Sequence, residues 1–61
     1  MKIGDYIQFT STGCRGLVVK ITQHNSTEFV HVLCGPDADG DHGGEILAFP
    51  RNTIRSCARI L

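Results

Sequence analysis

Residues 4–21 read GDYIQFTSTGCRGLVVKI, two short apolar runs on either side of a polar segment that holds Gly13 and Gly16. In the first run Ile3, Ile7 and Phe9 share one parity and Lys2, Tyr6, Gln8 and Thr10 the other, the period-two pattern of a half-buried strand. Asp5 interrupts the apolar face at the start of that strand. In the second run Leu17, Val19 and Ile21 fall on one face and Val18, Lys20 and Thr22 on the other, with the β-branched content of a pleated strand. The intervening TSTGCRG supplies the permissive backbone of a turn and places Arg15 at its tip. Together the two runs predict a strand-loop-strand unit.

Working outward, QHNST makes a polar turn, and Glu28 to Cys34 forms a third run with Val30, Val32 and Cys34 opposite Phe29, His31 and Leu33. Both faces there are largely apolar, as expected of a central strand covered on both sides or one that turns a barrel corner. Residues 35–44, GPDADGDHGG, carry no apolar side chain larger than alanine and read as an acidic surface loop. Glu45 to Phe49 is a fourth short run, stopped by Pro50, whose fixed φ and missing N–H suit a strand end or the first turn of a helix. In the closing RNTIRSCARIL, Ile54, Ala58 and Leu61 have helical spacing, while Cys57, Arg59 and Leu61 alternate as in a strand. Because Asn52 and Thr53 are poor helix formers, the expectation is one tight 3₁₀ turn followed by a fifth strand.

At 61 residues and 41% hydrophobic content, the chain reads as one small globular domain spanning 1–61. A core so small is expected to need almost every large aliphatic side chain. No apolar run approaches a membrane span, and the Gly-Asp pair comes too early for a signal peptide. Cys14, Cys34 and Cys57 are an odd number without a close pair, which predicts reduced thiols and a cytoplasmic protein. The formal net charge of zero hides a segregation: Asp37, Asp39, Asp41 and Glu45 hold four of the six acids. The remainder sets six Lys/Arg against Asp5 and Glu28, a balance of +4 that can favour phosphate on one face.

The layout of five short strands with a tight helical turn before the last resembles an SH3-like barrel. More specifically, IGDYIQFTSTGCRGLVVKI resembles the KOW motif of ribosomal and transcription-elongation proteins: a Gly-Asp before an alternating strand, a loop, then a glycine followed by LVVKI, with Gly16 at the motif's glycine. FPRNTIRSCARIL is similar to the closing turn and strand of such barrels. The resemblance implies an all-β fold, a single five-stranded SH3-like barrel, and a module that binds nucleic acid or a transcription or translation complex.

The residues themselves give four candidate chemistries. Asp37, Asp39 and Asp41 occupy the first, third and fifth positions of an EF-hand loop, but His42 stands where the turn glycine belongs and Ala48 where the bidentate glutamate belongs. Zinc would need close ligand pairs, and His31 and Cys34, three apart in one strand, point to opposite faces. No nucleophile-base arrangement or phosphate-cradling loop can be argued from spacing, so the expectation is no enzyme, no cofactor and no metal. Nucleic-acid binding has the fuller cast: Arg15, Lys20, Arg51, Arg55 and Arg59 as cations, Tyr6 as an exposed stacking platform, and the Gly13 to Gly16 loop backbone. The alternative expectation is a protein-protein adaptor or small regulator that uses the acidic loop, with homo-oligomerisation left open.

Overall fold

The computed structural model describes residues 1–34 and 44–61. Among them the fold is mostly β: strands β1 (Tyr6–Phe9), β2 (Arg15–His24), β3 (Thr27–Cys34), β4 (Ile46–Pro50) and β5 (Ala58–Ile60), with one helix, α1 (Arg51–Cys57), between the last two. The strands form one antiparallel sheet in the order β4-β3-β2-β1-β5. The expected closed barrel is not formed, because β4 and β5 are the two edges and are not paired with each other. The sheet is nonetheless strongly curled. Three strand spacings should separate β1 from β4 by about 14 Å, yet the rings of Phe9 and Phe49 meet at 5.4 Å.

Inside the curl lie Ile7, Val18, Val30, Val32, Ile54 and Ala58, with Met1, Phe9, Ile21 and Phe49 packed against them. The alternation expected of β3 is present: Val30, Val32 and Cys34 are buried. That expected of β2 is broken by a bulge at Val19, where Val18 pairs with Val32 but Lys20 already pairs with His31. The extra residue lets Val18 and Ile21 face the same core, so Leu17, Val19 and Ile21 do not form one buried face.

Three further bulges share one construction. Gly4 and Asp5 oppose Val18, Gly13 and Cys14 oppose Phe9, and Gly44 and Glu45 oppose Cys34. In each, the glycine N–H donates to the opposing carbonyl, the opposing N–H donates to the carbonyl of the next residue, and the glycine takes a left-handed φ between 77 and 97°. This is the glycine-first bulge, which a side chain at that position would strain. The first also explains why Ile3 is exposed rather than core: the turn from Lys2 to Asp5 lifts it off the sheet before β1 begins. The β2–β3 hairpin closes through Asn25 and Ser26, both at positive φ, the two-residue turn whose twist matches the strands.

The tight 3₁₀ turn expected after Pro50 is instead a seven-residue α-helix. Asn52 and Thr53 have weak intrinsic preference for helix, but tertiary packing overrides it: Ile54 is fully buried over the open side of the curl. Because a single helix covers a single face, the expectation that nearly all large aliphatics are core also fails. Ile3, Ile46, Ile60 and Leu61 are more than half exposed.

Candidate functional site

The convex face of the sheet collects most of the residues singled out from sequence. Pairing of Tyr6 with Leu17, Leu17 with Leu33 and Leu33 with Ile46 sets these four side chains in one row across β1, β2, β3 and β4. Leu61, whose amide donates to the Tyr6 carbonyl, continues the row beyond Tyr6, and Tyr6, Leu61 and Ile46, at 61%, 56% and 59% exposure, are its open members. One row away, Gln8 pairs with Arg15 on one side and Arg59 on the other. On the opposite flank Lys20 pairs with His31, and His31 pairs with Ala48. The face is thus an apolar stripe bordered by a two-arginine row and by a lysine-histidine row.

Several contacts fix this surface. Gln8 Nε2 donates to the Gly13 carbonyl at 3.1 Å, and Arg59 Nη2 donates to Gln8 Oε1 at 3.2 Å. Gln8 therefore ties the guanidinium of β5 to the β1–β2 loop, with Phe9, Thr10 and Gly13 lining the same shallow depression beside Arg59. Within that loop the Cys14 amide donates to Thr12 Oγ1 at 3.2 Å. On the lysine-histidine flank, Thr22 Oγ1 and His31 Nε2 lie 2.8 Å apart. At the far end of the β1–β5 ladder, Thr10 reaches the Cys57 carbonyl through both its amide and its hydroxyl.

Four of the six expected contact residues, Tyr6, Arg15, Lys20 and Arg59, therefore share one face. Arg51 and Arg55 do not. Arg51 begins α1, pairs with Glu28 and donates to the Met1 carbonyl at 3.1 Å, which ties the N-terminus, β3 and α1 together. Arg55 is exposed on the helix, beside Asn52 and Ser56. Gly13 takes part in the loop bulge, whereas Gly16 is buried in β2, where its lack of a side chain admits Val32.

Comparison with protein-family models, curated proteins and solved structures finds no match for this chain.

Sequence reasoning missed Gln8, Leu17, Leu33 and Ile46 as parts of this face. For Gln8 the parity shared with Tyr6 was a usable signal, but its bond to Arg59 depends on a pairing 51 residues apart. The candidate cation ligands Asp37, Asp39 and Asp41, and most of the acidic loop 35–44, lie outside the described residues. Among the described residues no cluster of three His, Cys, Asp or Glu side chains is placed to hold a metal, and no helix is long and apolar enough to cross a membrane.

Proposed function

We propose that the protein is a non-enzymatic binding module, an SH3-like, KOW-type unit that takes single-stranded nucleic acid on its convex sheet face. The observation that carries this reading is the joint placement of Tyr6 with Arg15, Lys20 and Arg59 on that face. Single-stranded sites need a flat π surface for a base and cations spaced along the backbone it follows. Tyr6 supplies the first, and the rows on either side of it supply the second. The strong curl of the sheet and the helix before the last strand support the small-barrel reading, as does the glycine at position 16.

The test is fluorescence anisotropy with labelled single-stranded RNA and DNA at low salt. Binding is expected to weaken as salt rises, because neutralised phosphates release counterions. Tyr6→Ala is expected to cost about 1–3 kcal/mol of binding free energy, the range for one stacked base. Arg15→Ala and Arg59→Ala should flatten the salt dependence, whereas Arg55→Ala, on the helix, should change nothing. Tyr6 is the sole tyrosine in a chain without tryptophan, so quenching of intrinsic emission gives a second readout. Failure to bind at tens of micromolar, or binding indifferent to salt, removes the reading.

A second reading, a protein-interaction adaptor, is favoured by the exposure of Ile46 on edge strand β4 at the end of the apolar row. It predicts that Ile46→Lys abolishes capture of a protein partner, and an unchanged partner set would remove it. The acidic-loop version of this adaptor rests on residues outside those described.

A further inference from the structure

The three cysteines are all thiols, and they differ in setting. Cys34 ends β3 and is 5% exposed, Cys14 lies half-buried at the entry to β2, and Cys57 closes α1 with its thiol directed at the Ile54 carbonyl. Cys14 opposes Phe9, so its side chain leaves the ladder on the concave face with Gly16 and Val18. Cys34 pairs with Gly16 and lies on that same face. Cys14 therefore lies diagonal to Cys34, one step beyond Gly16 and Cys34, the terminal pair of the β2–β3 ladder.

The twist of this ladder brings that diagonal together. Val32, whose direct partner is Val18, leans across to Gly16 so closely that a Cβ there would strike its Cγ1. Cys34 and Cys14 stand one step further along in the same relation, and Gly16 puts no side chain between them. Their proximity also has an electrostatic trace. Burial first, then the neighbouring Cys14 and the Glu45 carboxylate, push the Cys34 thiol above its ordinary 9.0. Cys34 is the last residue of β3 and Cys14 immediately precedes β2, so the two thiols border the same end of the sheet.

We propose that Cys14 and Cys34 are a redox couple that a hydroperoxide closes into a disulfide. Cys14, the more accessible, attacks the peroxide as its thiolate; the O–O bond breaks, leaving a sulfenic acid on Cys14 and one water from hydrogen peroxide. The Cys34 sulfur then displaces the sulfenic oxygen, forming the S–S bond and releasing a second water. Two thiols are oxidised by two electrons, and the peroxide is reduced by the same two. The product cross-links the start of β2 to the end of β3, beside the bulge that opens β4.

Hydrogen peroxide treatment of the full native chain, followed by alkylation, trypsin and mass spectrometry, tests this. Trypsin places the cysteines on separate peptides, 3–15, 21–51 and 56–59. The expected product is 3–15 linked to 21–51, lighter by two hydrogens and more abundant than both Cys57-containing pairs combined. In urea that preference should vanish. Cys57→Ser should retain the link, while Cys34→Ala should lose it and leave a Cys14 sulfenic acid that dimedone traps. Cys14→Ser, at a half-buried site, checks the loss without disturbing the core. Two results would overturn the proposal: the same mixture of pairs in native buffer as in urea, or over-oxidation of Cys14 with no cross-link.

Discussion

At Gly16 the backbone of β2 passes so near β3 that a Cβ would fall well inside van der Waals contact with Val32 Cγ1 and 3.2 Å from the Leu33 carbonyl oxygen. The glycine is held there by packing and not by an unusual φ, since the chain is ordinary extended strand at this point. Gly16→Ala is expected to destabilise the protein by about 2 kcal/mol, the scale of overpacking in a filled core. In a domain of this size that lowers the thermal midpoint by on the order of 10 °C. Adding Val32→Ala should return part of the loss, because it removes the methyl that the new Cβ strikes. Thermal melts of the two variants check both statements, and additive losses would place the constraint elsewhere.

Among the elements, α1 depends most on its neighbours. Seven residues, with no side-chain cap at Pro50 and no acid in the first turn, cannot hold a helix in isolation. Ile54 fastens it to the core, and Ile54→Ala is expected to cost about 3 kcal/mol in urea unfolding, the range for emptying a buried aliphatic site. By contrast, the half-exposed pair of Arg51 and Glu28 is worth less than about 1 kcal/mol. The same dependence on tertiary contact sets what could be read from the sequence. β3 was legible because its alternating valines are central and pack as their parity says. α1 was not, because Asn52 and Thr53 speak against helix locally while the deciding contact is made by Ile54 with distant strands. The bulge at Val19 was hidden too, since Leu17, Val18 and Val19 are apolar on both parities. That bulge matters for the candidate site: Arg15 and Lys20 are five residues apart and would fall on opposite faces of a regular strand, but the extra residue returns Lys20 to the face of Arg15 and Tyr6. Tyr6 itself was legible from parity alone.

For the molecule as a whole, the curled sheet encloses a core whose stability should fall at alkaline pH. The Cys34 thiol is held above 9.0 in the folded state, by burial before any charge, so above pH 9.0 the unfolded chain releases this proton while the folded one keeps it. The folded state then binds more protons, and stability declines as pH rises. Urea midpoints taken in reductant from neutral pH to beyond 9.0 should drop, and Cys34→Ala should drop less steeply; parallel slopes would assign the decline to other groups. The three glycine-first bulges carry a different kind of consequence. Each lies where the chain enters a strand, at the start of β1, β2 and β4, and each closes on a single opposing residue, Val18, Phe9 or Cys34. Such a joint resets the phase of the strand regardless of how many residues precede it. The connections upstream of Gly13 and Gly44 can therefore lengthen or shorten over generations, acquiring or losing residues, while the ladder they feed keeps its alignment.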